Sequence, residues 1–197
     1  MMKFAEVSAR HLSEHLNGCT PAGTLVIGVP TAGLVLAGEV ARNLGCDLDF
    51  CCIENYCVMP ERDKEFGKLP GASDEHDARS CELWRTVLPP NRTVGRTIVI
   101  VDAAMLTGAT IESVIATVAQ WKPARIIVAT PFATPTAIGR IGSQVDAIVS
   151  LRVSRDETEA RAYCAKLALP NPVEVMAGLR GVAPRCTDRP GFLTSDI

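Results

Sequence analysis

Apolar positions along the chain keep two rhythms that take turns. Short, mostly apolar runs lie at 25–28, 48–53, 98–101, 125–129 and 145–151, of which 98–101 is uninterrupted by any polar residue. Runs of this length, rich in Val and Ile, predict strands buried on both faces of a parallel sheet. Between them the spacing changes to i, i+3, i+4, i+7. Ala5, Ala9, Leu12 and Leu16 share one stripe of a helix over 4–17, with Gly18 as its stop. Ala37, Val40, Ala41 and Leu44 do the same over 33–44, ended by Gly45, and Ile111, Val114, Ile115, Val118 and Ala119 over 111–121, with Thr110 as the expected N-cap. Thr134-Pro135 opens a short helix carrying Ile138 and Ile141, and 156–167 reads as a last helix before a coil-like tail from Pro184. Sustained alternation of strand and helix predicts an α/β fold: a doubly wound, mostly parallel sheet flanked by helices and joined by right-handed crossovers.

Two of the strand-to-helix junctions are built from small residues. After the run at 98–101 come Asp102, Ala103, Ala104, Met105 and Leu106, then Thr107-Gly108-Ala109-Thr110 at the helix start. After the first strand comes Val29-Pro30-Thr31-Ala32-Gly33. A helix start presents unpaired backbone amides and the positive end of its dipole, so such a turn can cradle a phosphate without any charged side chain. Both turns belong at the carboxyl edge of the sheet, where open α/β folds hold their ligands, and Asp102 stands at the same edge.

The stretch 97–110 resembles the phosphoribosyl pyrophosphate (PRPP) motif of type I phosphoribosyltransferases, in which a hydrophobic strand runs into two acids, three variable positions and Thr-Gly-x-Thr. The resemblance, which covers about residues 20–155, implies that Asp102 is the first acid and a catalytic residue. It further implies that Leu106, Thr107, Gly108, Ala109 and Thr110 bind the 5'-phosphate, and that Pro30, Thr31, Ala32 and Gly33 form the pyrophosphate loop. The implied ligand is PRPP or another phosphorylated ribose or nucleotide, with Mg2+ accompanying PRPP, and the implied assembly is a homodimer. A single domain over 1–197 follows, with a flexible loop or hood at 57–96 and a C-terminal extension at 152–197, where Tyr163 is the aromatic residue available to seal a site. Three departures stand out. Ala103 occupies the second acid position, Thr31 and Ala32 replace an arginine and a glycine, and Glu54-Asn55-Tyr56 replaces an Arg-Lys pair. Leu106 also occupies the place of an acid that acts on the base in purine-salvage relatives. Arg62, Lys64, Lys68 and Arg85 are the charges that a covering segment could supply instead. Amides grip ground and transition states alike, whereas the missing charges would act on what changes during reaction, so binding should outlast chemistry. The alternative to an active transferase is a noncatalytic nucleotide-sensing regulator, or a scaffold that keeps the loop for packing.

Composition narrows the rest. The 197 residues suit one core, and a formal charge of −2 gives no reason to expect nucleic acid. No apolar run approaches a bilayer span and the first residues lack a signal-peptide core, so no membrane association and a cytoplasmic location are expected. Eight cysteines, at 19, 46, 51, 52, 57, 81, 164 and 186, lack zinc-ligand spacing and read as buried thiols. His11-Leu12-Ser13-Glu14-His15 spells the H-x-x-E-H pattern of one zinc protease class, but a solvated histidine pair on a surface helix accounts for it equally well.

Overall fold

The computed structural model describes residues 4–29, 32–50 and 94–166. The predicted rhythm is realised as five parallel strands: β1 (Thr24–Gly28), β2 (Asp47–Phe50), β3 (Thr97–Val101), β4 (Arg125–Ala133) and β5 (Ala147–Val153). They are ordered β2-β1-β3-β4-β5. The helices are α1 (Phe4–His15), α2 (Ala32–Leu44), α3 (Ala109–Ala119), α4 (Pro135–Ile141) and α5 (Glu157–Lys166). The sheet is wound on both faces because successive strand residues point opposite ways. Val26, Val99, Val101, Ile127 and Ala129 pack with Leu12 of α1 and Leu36, Val40 and Ala41 of α2. Leu25, Ile27, Ile98, Ile100 and Val128 pack with Ile111, Val114 and Val118 of α3 and Ala137 and Ile141 of α4. Residues 98–101 are fully buried, which is why the strand carries no polar residue between Thr97 and Asp102.

Element boundaries differ from the sequence expectation where local chemistry takes over. Helix α3 begins at Ala109, and its N-cap is Gly108 in the left-handed region (φ 75°, ψ −4°), with no side-chain cap. Thr110 therefore lies inside the helix; the expected cap is corrected by the turn at Gly108, a conformation that an L side chain resists. Helix α1 stops at His15, before the Gly18 turn (φ 79°). Strand β4 continues past 129 to Ala133 because Phe132 and Ala133 pair with Arg152 and Val153 of β5. Expected strand residues 51–53, the 57–96 segment up to residue 93 and the tail lie outside the described residues, as do Pro30 and Thr31. Helix α5 reaches α1 through Phe4 and Tyr163, whose ring centroids are 4.9 Å apart.

This strand order puts a switch point between β1 and β3. From β1 the chain crosses to β2 on one side, whereas from β3 it crosses to β4 on the other. The two junctions therefore diverge and leave a crevice at the carboxyl ends of these adjacent strands.

Candidate functional site

The crevice is held together by backbone. Gly28 pairs with Val101 in register, and the next amide, Val29 N–H, donates to the Val101 carbonyl at 3.0 Å. Asp102 N–H donates to Ala129 at 3.2 Å, so the acid is fixed where β3 leaves the sheet. Its Oδ1 accepts the Ala103 amide at 2.7 Å. The residue keeps part of its surface open, yet its surroundings are dense enough that burial raises the carboxyl pKa to about 6, against the lowering influence of the Ala103 and Ala104 amides. Gly33, in the first turn of α2, closes the other wall. A Cβ there would lie 3.0 Å from the Val101 carbonyl oxygen and 3.2 Å from Asp102 Oδ1. The absence of a side chain lets α2 start against the acid, and it brings Ala32, Gly33 and Asp102 to one edge as the sequence predicted.

Beyond Asp102 the chain returns briefly to the sheet. Met105 forms a parallel bridge with Ala133, its amide donating to Phe132 at 2.8 Å and its carbonyl accepting from Thr134 N–H at 3.0 Å. The Leu106 carbonyl accepts from Thr134 Oγ1 at 2.5 Å, and the Thr107 carbonyl from Arg140 Nη1 at 3.3 Å. Thr134 is also the N-cap of α4, accepting the Ala137 amide at 3.0 Å. Arg140 is oriented by Glu112 of α3 at 2.8 Å, and Glu112 in turn by Gln144 at 3.1 Å. Those two hydrogen bonds, from Gln144 first and then Arg140, hold the Glu112 carboxyl below its usual pKa. Gly108 is pressed against α4, where an added Cβ would meet the Ala137 carbonyl oxygen at 3.2 Å and its Cα at 3.3 Å. The Ala109 amide has a weak acceptor in Thr107 Oγ1 at 3.4 Å. Among the described residues, the amides of Leu106, Thr107, Gly108 and Thr110 have no acceptor. Thr107 is exposed and Leu106 and Thr110 partly so.

The phosphoribosyl transferase domain family model matches residues 3–152. The chain belongs to this family. No curated protein matches it significantly. Solved structures do. The TT1426 protein of Thermus thermophilus superposes with a TM-score of 0.67 at 24% identity, over 93% of this chain and 100% of that one. A purine phosphoribosyltransferase of Pyrococcus horikoshii superposes at 0.52 with 21% identity, over 78% and 84%. An adenine enzyme of Giardia lamblia, APRTase complexed with 9-deazaadenine, superposes at 0.51 with 14% identity, over 77% and 80%. At these identities the likeness is one of fold.

Within this phosphoribosyl transferase domain Ala103, next to Asp102, is 4% exposed and packs in a small apolar cluster with Ala5 of α1, Ala32 of α2 and, at its margin, Val35 and Tyr163. The residue after Asp102 is thus enclosed where the starts of α1 and α2 meet. Mg2+ favours six oxygen ligands in near-octahedral array. Among the described residues there is no group of three or more His, Cys, Asp or Glu able to hold a metal, and the acid at this edge, Asp102, already spends one oxygen on Ala103. Magnesium commonly keeps several waters and binds through one or two carboxylates together with substrate phosphates, so an ion accompanying PRPP needs no such group. On α1 the His15 Nδ1 lies 2.7 Å from the His11 carbonyl oxygen, and among the described residues no group of three or more His, Cys, Asp or Glu gathers there. Cys19 and Cys46 are free thiols whose pKa values burial pushes up, in keeping with structural use. No helix among the described residues is long and apolar enough to cross a membrane.

Thr134, Arg140 and Glu112 were not candidates from sequence. Thr134-Pro135 carries the signal of a helix start and nothing more, and the salt bridge joins residues 28 apart whose meeting depends on the packing of α3 on α4.

Proposed function

We propose that this protein binds the 5-phosphoribosyl part of PRPP or of a nucleotide, with the phosphate at the amides of Leu106, Thr107, Gly108, Ala109 and Thr110 and the ribose beside Asp102. The observation that carries this reading is the row of acceptor-free amides next to an acid at the sheet's switch point, in a member of a phosphoribosyl transferase domain family. An amide row needs no charge to hold an anion, and Asp102 can accept hydrogen bonds from ribose hydroxyls once ionised. Pro30, Thr31, Ala32 and Gly33 belong to the proposal as the pyrophosphate side. Mg2+ enters it only as an ion carried by PRPP. A single domain over 1–197 with a covering segment at 57–96 and an extension at 152–197, a homodimer and a cytoplasmic location complete it.

Transfer is expected to be slow. Departure of pyrophosphate develops positive charge on the sugar, which paired acids would offset, and the apolar surroundings of Ala103 leave one acid for that work. The same cluster favours the second reading, a noncatalytic sensor of phosphorylated ribose, over an active transferase. Incubation with PRPP, Mg2+ and each common nucleobase, followed by assay of pyrophosphate release, separates enzyme from sensor. Little or no release is expected. Thermal stabilisation by ribose 5-phosphate separates either from a scaffold, because only a protein with a working phosphate loop gains stability from that ligand.

A further inference from the structure

Three consecutive carbonyls of the loop are each held from the same side. Those of Met105 and Leu106 accept from the backbone amide and the hydroxyl of Thr134, and that of Thr107 accepts from Arg140. In a trans peptide the carbonyl of one residue and the amide of the next lie in one rigid plane and point in opposite directions. Fixing the carbonyls of 105, 106 and 107 therefore fixes the N–H groups of 106, 107 and 108, all directed away from α4. An array of successive amides aimed one way is an anion nest. Left to itself, a loop with left-handed Gly108 can rotate these peptides and turn an oxygen toward the ligand.

On the reading of the loop as a phosphate site, we propose that Thr134 and Arg140 are positioning residues, which preset the amides of Leu106, Thr107 and Gly108 for a phosphate monoester without touching it. Thr134 is the inner clamp: it is 6% exposed, and its hydroxyl donates to Leu106 while accepting from Ala137. Arg140 is the outer clamp, and its planar fork reaches Glu112 with Nε and Thr107 with Nη1 together. A lysine has the charge but not the fork.

The test is calorimetric titration of ribose 5-phosphate into the wild type, Thr134→Val, Thr134→Ser, Arg140→Met and Arg140→Lys. Thr134→Val keeps the volume and loses both hydroxyl bonds, and should weaken binding about tenfold or more, while Thr134→Ser restores most of it. Arg140→Met should weaken binding severalfold with little change in melting temperature, since the side chain is 45% exposed, and Arg140→Lys should not rescue it. Should Thr134→Val fail to fold for want of its helix cap, the Arg140 pair carries the test alone. Wild-type affinity in folded Thr134→Val and Arg140→Met would overturn the proposal, and full rescue by Arg140→Lys would overturn the positioning role of Arg140 in favour of charge alone. Absence of binding to the wild type is a different result: it removes the phosphate site itself, and the positioning role with it.

Discussion

The two halves of the crevice have been treated differently. From Met105 to Thr110 the carbonyls of Met105, Leu106 and Thr107 are tied back to Thr134 and Arg140, and the amides of Leu106, Thr107, Gly108 and Thr110 are left without an acceptor among the described residues. A few residues earlier, Ala103 is sealed under Ala5 and Ala32, and the carboxylate of Asp102 is left without the second acid that the resembled motif places beside it. One half depends on backbone geometry, which survives side-chain substitution as long as Gly108 and its braces remain. The other depends on charge, which a single change to alanine removes and the packing of α1 and α2 then makes hard to restore. That contrast is the physical basis for expecting recognition without much catalysis.

The largest effect should come from Gly108→Val, which attacks the first half. The left-handed backbone costs a branched residue about 1–2 kcal/mol, and crowding against the Ala137 main chain about as much again. A drop in melting temperature and loss of measurable ribose 5-phosphate binding are expected. Retained affinity would mean that the amides of 106–110 are not the ligand contacts.

Ala103→Asp probes the second half. By sequence alone, restoring this acid together with Thr31→Arg should strengthen Mg2+-dependent binding of PRPP. The packing revises that expectation. A carboxylate at a 4% exposed position packed among Ala5, Ala32 and Val35 would be desolvated, and should cost about 2–4 kcal/mol in chemical denaturation while adding no magnesium dependence. A stable variant with tighter PRPP binding in Mg2+ would show that the helices open readily.

How much of this was legible in the sequence depends on the range of the interactions. The sheet was readable because strands buried on both faces leave uninterrupted runs such as 98–101, and helices leave a stripe such as Ile111, Val114 and Ile115. Asp102 and the turn after it were readable because they are contiguous. The cap of α3 was misplaced because Thr110 has the better side chain, while Gly108 has the backbone that the turn needs. The seal over Ala103 and the braces from Thr134 and Arg140 join distant residues, and no local pattern announces them.

Asp102→Asn should act with the opposite sign. The folded-state pKa of about 6 lies above the usual value near 4, so the native state binds the proton more tightly than the unfolded chain. Stability is therefore greatest below about pH 4 and declines as pH rises through about 6. Asparagine avoids the cost of a desolvated charge. Melting at pH 7.5 should show a gain of about 1–3 kcal/mol, shrinking toward zero near pH 4. A loss of stability at pH 7.5 would mean that the ionised carboxylate is a structural asset, which would fit a role in packing better than one in ligand binding.

The smallest effect belongs to Gly33→Ala. A methyl group 3.0–3.2 Å from Val101 and Asp102 requires a shift of a few tenths of an ångström, and should cost about 1 kcal/mol. Ribose 5-phosphate should still bind, because the amides of 106–110 are held by α4 and not by α2. A large loss of phosphate affinity would show that the two halves are coupled through Asp102.

The measurement that bears most directly on the central contrast is a calorimetric titration of the wild type with ribose 5-phosphate and with PRPP, each with and without Mg2+. If recognition resides in the amide row and the charged half has been lost, ribose 5-phosphate binds equally well in both buffers and Mg2+ strengthens PRPP binding only slightly. PRPP affinity that rises steeply with Mg2+, accompanied by turnover that Asp102→Asn abolishes, would contradict that account.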